Sequence, residues 1–142
     1  GLLHDIGKLW MAYLHPRENQ HIQGLLAHEP HPLCELEREM FGLDHCAIGS
    51  IIARYWRLPE EIIEAITLHH QQDTPELGRL AAATHVAEAI CNGLDLPPRE
   101  DNQVIAVSQQ AMVVLGIDWN QDMSDLLGRT EARFRQARAQ LH

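Results

Sequence analysis

The chain is poor in lysine, cysteine and aromatic residues. One lysine, Lys8, and ten arginines stand against twenty acidic residues, so the net charge over 142 residues is −9 with histidine neutral. That balance excludes a general binder of the nucleic-acid backbone, which needs a basic stripe. The three cysteines, Cys34, Cys46 and Cys91, are odd in number and form no CxxC pair. This speaks against a disulfide framework or a thiolate zinc site, and for reduced thiols in a cytoplasmic protein. No apolar run approaches about eighteen residues, so no membrane-spanning helix is expected. No signal peptide is expected. With 45% apolar residues, the chain is not of the disordered class. A chain of this length normally forms one domain that buries about 68% of its unfolded surface. Histidine, by contrast, is abundant: ten residues, nearly as many as lysine and arginine together.

The apolar periodicity is helical almost throughout and predicts an all-α bundle of about six to seven helices. Leu2 to Leu14 is apolar on most sides, as a buried helix is, and stops before Pro16. Residues 17–28 form a short polar helix. Pro32 opens a segment that sets Leu33, Leu36, Met40 and Phe41 on one face, ended by Gly42. Asp44 caps residues 45–56, with Ile48, Ile51, Ile52 and Tyr55 as the buried stripe. Pro59, Glu60 and Glu61 start a helix carrying Ile62, Ile63 and Ile66. Thr74, Pro75 and Glu76 start another, through Leu77, Leu80, Ala81, His85, Ala87 and Glu88 to Gly93. Residues 93–101 are a loop; Asp101 caps a helix to Leu115, closed by Gly116. The last helix sets Met123, Leu126, Leu127, Thr130, Phe134, Ala137 and Leu141 at spacings of three and four, and residues 118–125 read as a solvated acidic loop. No segment shows sustained strand alternation, although residues 104–107 are ambiguous. The patterned region starts at Gly1 without an initiator Met. Residues 1–142 are therefore expected to be a single helical domain, the C-terminal part of a larger domain or protein.

The histidines fall into two groups. His15, His21, His28, His31 and His142 lie in polar or proline-flanked stretches and read as surface residues. His4, His45, His69, His70 and His85 lie beside apolar helical faces. The adjacent His4-Asp5 pair offers one nitrogen and one carboxylate oxygen to a metal at a helix edge. Lys8, at i+3 from Asp5, offers the alternative of a simple ion pair. His69-His70 closes a helix and can point two imidazoles at one cavity. His45 and Gly49, at i and i+4, allow a close helix approach. Glu88 shares a face with His85, either as a ligand or as a hydrogen-bond partner. Together these residues place His-Asp, His, His-His and an acid at the inner edges of strong helices, which is how a metal site is built in an α-bundle.

The stretch Gly1-Leu2-Leu3-His4-Asp5-Ile6-Gly7-Lys8-Leu9 resembles the HD motif of the HD superfamily of metal-dependent phosphohydrolases. The order that follows resembles the HDOD branch: His45-x-x-x-Gly49, then Trp56-Arg57-Leu58-Pro59 before His69-His70, then His85-Val86-Ala87-Glu88. The resemblance covers about residues 1–93. It implies an HD-type helical bundle used in bacterial signalling beside other output modules. It maps His4, Asp5, His45, His69, His70 and Glu88 to metal-ligand positions, and Lys8 to a phosphate contact. It implies a divalent ion, Fe, Mn, Ni, Zn or Mg. The family's first ligand histidine stands on a helix before the HD pair, outside residues 1–142. Gln71-Gln72-Asp73 follows His69-His70, where cyclic di-GMP hydrolases carry Glu and a Gly-Tyr-Pro element, so that substrate is not expected. Glu88 stands where Asp is usual.

Two functions remain open. One is a regulatory module acting through other signalling domains or proteins, or as a homodimer, with a complete or residual metal site. The other is a metal-dependent phosphohydrolase acting on a nucleotide or phosphodiester, with Asp5 and Lys8 as catalytic residues and the ion activating water. A weaker third reading is a helical interaction domain in which the histidines are incidental.

Overall fold

The structure, a computed structural model, describes residues 1–28, 31–71, 77–94 and 106–140. Among these there are eight helices and no strand: α1 (Ile6–Leu14), α2 (Pro16–His28), α3 (Leu33–Phe41), α4 (His45–Tyr55), α5 (Glu60–Leu68), α6 (Arg79–Gly93), α7 (Gln109–Leu115) and α8 (Trp119–Ala139). The all-α bundle is as expected, with one helix more than the upper count.

Local chemistry sets the ends that matter for the site. Gly42 takes the left-handed conformation (φ 78°) and closes α3. Asp44 then caps α4, accepting from the Ala47 N–H at 2.9 Å, and also accepts from Arg38 Nε at 2.9 Å. One side chain thus fixes the α3–α4 turn; a cap of this kind is worth about 1 kcal/mol. At the α4–α5 corner, Arg57 stands where glycine is usual (φ 56°). The Arg57 N–H donates to the Arg54 carbonyl and the Leu58 N–H to the Ala53 carbonyl, the bond pair of a Schellman motif. Pro59 then opens α5. The Gly78 N–H at the start of α6 donates to Glu64 Oε1 of α5 at 2.6 Å, which pins these two helices together.

Several expectations change. Leu2 to Leu14 is not a buried helix: residues 1–5 are mostly turn, and Leu2, Leu9 and Tyr13 are 99%, 69% and 80% exposed. Its apolar excess is greater than the one face that packs. Pro32 is the cap of α3 and not its first residue, and the buried position of that helix is Glu37. The α4 stripe is rotated: His45, Cys46, Gly49, Ile52 and Ala53 are buried, while Ile51 and Tyr55 are exposed. Residues 106–108 precede α7, whose cap is Ser108. Asp118 caps α8, so residues 118–125 are helical except at the cap itself, and not a loop. The Thr74-Pro75-Glu76 start signal, the Asp101 cap, Val104, Leu141 and His142 lie outside the described residues.

Packing centres on α4, which lies against α1 on one side and α5 on the other; α5 continues onto α6, and α6 onto α7. A cluster of Ala53, Ile63 and Ile66 joins α4 to α5. A larger one of Ala65, Leu77, Ala81, Ala82, Val86, Ile90, Ala111, Met112 and Met123 joins α5 through α8. The α1–α4 contact depends on missing side chains. A Cβ on Gly7 would overlap the His45 carbonyl, and one on Gly49 would sit 2.8 Å from Ile66 Cγ2. Gly24, in α2, faces open space instead. Gly7→Ala is therefore expected to destabilise the fold by about 1–3 kcal/mol through overpacking. Gly24→Ala should stabilise it by about 0.5–1 kcal/mol through helix propensity. Urea denaturation of both variants checks the pair; equal effects would contradict the packing.

Candidate metal centre

His4 and Asp5 lie in the turn that enters α1, His45 opens α4, His69-His70 follows the last turn of α5, and Glu88 lies on α6. The fold gathers all six. Donor atoms of Asp5, His45, His69 and His70 lie within 4.8 Å of one another, as do those of His4, His69 and Glu88. His69 belongs to both groups. The rings of His69 and His70 are 4.2 Å apart between centroids, and His4 and His45 flank His69 at 5.0 and 5.5 Å.

Three of the rings share one orientation. His4 Nδ1 donates to the Gly1 carbonyl at 2.6 Å. His45 Nδ1 donates to Glu37 Oε2 at 2.6 Å. His69 Nδ1 donates to the Ile66 carbonyl at 2.8 Å. Each acceptor fixes the proton on Nδ1, so the neutral ring turns its Nε2 lone pair inward. Those nitrogens converge on one carboxylate. His45 Nε2 and His69 Nε2 lie 3.6 and 3.5 Å from Asp5 Oδ1, and His4 Nε2 lies 3.4 Å from Asp5 Oδ2. His70 Nε2 is 3.0 Å from His45 Nε2, and its Nδ1 is 3.7 Å from Glu88 Oε2.

Lone pairs aimed at a carboxylate repel it, and a cation between them reverses the sign. Two ligands of one ion, each about 2.1 Å from it, are about 3.0–3.4 Å apart. The observed separations are close to that span, so the donor set fits a divalent ion. Outward Nδ1–H donation to a carbonyl or carboxylate is also how metal-bound histidines are held.

Lys8 contributes a cation from one side, its Nζ 2.9 Å from Asp5 Oδ1. Asp5 Oδ1 is screened from solvent and accepts no hydrogen bond of good geometry. Burial raises the Asp5 carboxyl, but the His69 and His4 rings, whenever their Nε2 atoms carry a proton, and the Lys8 ammonium outweigh it and hold the group well below the ordinary carboxylate range. Burial, then the neighbouring His69 and His45, push His70 down to about 2. Burial likewise lowers His4, against the pull of Asp5. Both rings thus stay neutral and able to ligate at neutral pH. The Asp5–Lys8 ion pair considered as an alternative is therefore present, together with the converging imidazoles.

His85 is fully buried but stands apart from the donor groups. Its Nδ1 donates to the His69 carbonyl at 2.7 Å and its Nε2 accepts from the Ser108 N–H at 3.0 Å. Both nitrogens face the backbone, so His85 positions the His69-His70 pair and does not bond Glu88. His15, His21, His28 and His31 are exposed, as expected of surface histidines.

Glu37 was not foreseen as part of the site. It is 4% exposed, and its Oε2 accepts from both Nδ1 and the backbone N–H of His45. The signal was an acid at i+4 from Leu33 and i−4 from Phe41, inside an otherwise apolar stripe. Cys34 and Cys46 also converge on His45 and His70. Separated by eleven residues and in no metal-ligand spacing, they gave no sequence signal.

A family profile described as the HDOD domain matches residues 1–72. A protein of Treponema pallidum (strain Nichols), described as uncharacterized, is 31% identical over 70 residues. That stretch is 49% of this chain and 14% of the relative, so the chain spans a small part of that protein's length. No solved structure matches. The matched segment carries His4, Asp5, Glu37, His45, His69 and His70, while Glu88 lies beyond it; on this match over half its length, the chain belongs to the HDOD family.

Proposed function

We propose that the chain is a regulatory HDOD module of a bacterial signalling protein, with an HD-type site that holds a divalent ion. The observation that carries this reading is the inward turn of three Nε2 lone pairs onto Asp5. The residues that hold the ion are His4, Asp5, His45, His69, His70 and Glu88. A set of imidazoles and carboxylates suits Mn, Fe, Ni or Zn better than Mg, which prefers all-oxygen ligands. Three free cysteines support a cytoplasmic setting. Among the described residues, no helix is long and apolar enough to cross a membrane. The module's partners are other signalling domains or proteins, and the exposed apolar side chains of α1 suit such contacts.

A second reading, a phosphohydrolase acting on a nucleotide or phosphodiester, is favoured by Lys8. Its side chain is 24% exposed and sits beside Asp5, where it can meet an anionic group. A bound divalent ion supplies Lewis acidity at a phosphoryl oxygen. In this reading Lys8 binds and orients the phosphate, and Asp5 beside it would hold the ion. Cyclic di-GMP stays outside this reading because the Glu and Gly-Tyr-Pro element does not follow the histidine pair.

Metal analysis of protein purified without chelator tests the site. Wild type should carry a stoichiometric transition ion and Asp5→Ala should lose it; equal contents would overturn the reading. Glu88→Gln should weaken retention, and unchanged occupancy would remove Glu88 from the ligand set. Glu37→Gln should lower affinity by about ten- to a hundredfold, as loss of an outer partner usually does. Titration calorimetry reads that difference, and an unchanged constant would reduce Glu37 to packing. Turnover of a phosphodiester or nucleotide panel with Mn, lost in Lys8→Ala at full metal content, would decide for the enzyme.

A further inference from the structure

Helices α3 and α4 bring a second donor set to His45 and His70. Cys34 and Cys46 are each the second residue of their helix. One donor atom from each of Cys34, His45, Cys46 and His70 lies within 4.8 Å of the others. Both thiols are free, Cys46 buried and Cys34 half-buried. This group contains no carboxylate. Two thiolates and two imidazoles form the donor set of a tetrahedral site for a soft or borderline ion. Hydrogen bonding with Cys34 and burial push the Cys46 thiol up, so an ion bound there must displace its proton. Asp44 and Glu37 lie next to the pair and add negative charge that a cation would offset.

The two donor sets share two residues, His45 and His70. His45 Nδ1 is committed to Glu37, so Nε2 is its remaining nitrogen, and His70 Nε2 lies 3.0 Å from it. We infer that Cys34, Cys46, His45 and His70 form a site for a thiophilic divalent ion such as Zn(II), in competition with Asp5 for the two histidines. A soft ion would settle on the cysteine side and a harder one on the Asp5 side. The cysteine site does not depend on the Asp5 site being functional.

Titration of the metal-free chain with Co(II), followed optically, tests it. A thiolate-to-cobalt charge-transfer band is expected in wild type and in Cys91→Ser. In Asp5→Ala, where the competing carboxylate is gone, it should come in at equal or lower Co(II). It should vanish in Cys34→Ser/Cys46→Ser. Ligand-field bands without charge transfer in wild type, abolished by Asp5→Ala, would overturn the inference and leave the Asp5 site standing. A charge-transfer band that survives in the double variant, or is lost in Asp5→Ala of unchanged far-ultraviolet circular dichroism, would overturn it as well. Alkylation of wild type provides a readout free of substitutions. Cd(II) should protect Cys34 and Cys46 from iodoacetamide but not Cys91, by peptide mass spectrometry; equal labelling with and without Cd(II) would count against the site.

Discussion

The structure depends on the direction of three imidazole rings. His4, His45 and His69 each donate Nδ1–H outward, to the Gly1 carbonyl, the Glu37 carboxylate and the Ile66 carbonyl. Each therefore presents a lone pair inward, towards Asp5. Buried acceptors facing one another cost several kilocalories per mole unless a cation joins them. Lys8 offsets part of that cost from the open side. The partners of His4 and His69 lie three residues back in their own segments, whereas that of His45 comes from α3, so two orientations are set locally and the rings meet through helix placement. This explains the missing side chains at Gly7 and Gly49. At these two positions α1, α4 and α5 approach too closely to admit a Cβ.

The same logic carries the polar network past the matched segment. His69 and His70 stand after the last turn of α5, where the chain would be free to turn away. His85 prevents this by donating to the His69 carbonyl, and is itself held by the Ser108 N–H at the start of α7. Glu88 reaches His70 from the next turn of α6. The apolar cluster of α5 to α8 thus has a role beyond stability: it sets the height at which the histidine pair faces Asp5.

The parts legible in sequence were those with a local cause. Gly42, Asp44, Pro59 and Gly116 marked helix ends because caps and left-handed residues act within four or five positions. His4, Asp5, His45, His69, His70 and Glu88 stood out because polar groups on apolar helical faces need partners. What failed was the facing of helices. Tyr55 and Ile51 fit an apolar stripe on α4 as well as Ile52 and Ala53 do, and only the neighbours α1 and α5 decide between them. Because the true stripe runs through His45, Cys46 and Gly49, two small or polar residues and a ligand outvoted larger apolar ones. The same difficulty hid Glu37, which lies on α3 between Leu33 and Phe41. Cys34 and Cys46 were invisible for a different reason: their meeting depends on how the turn at Gly42–Asp44 sets α3 against α4, and no periodicity encodes that placement.

The acid excess of the chain also finds a partial account in the centre. Asp5, Glu37 and Glu88 contact the histidine cluster, and Lys8 is the ammonium beside it. Three carboxylates against one ammonium leave a formal charge of −2 around rings that carry none when neutral. One divalent ion balances that charge, and two would exceed it. In a low-dielectric interior such a mismatch matters more than at the surface, because screening is weak there. A second ion would therefore need added negative charge, from a phosphate, a hydroxide or the thiolates of Cys34 and Cys46. Charge balance thus leads to the same alternative as geometry: one ion on the Asp5 side, or one on the cysteine side, with His45 and His70 common to both.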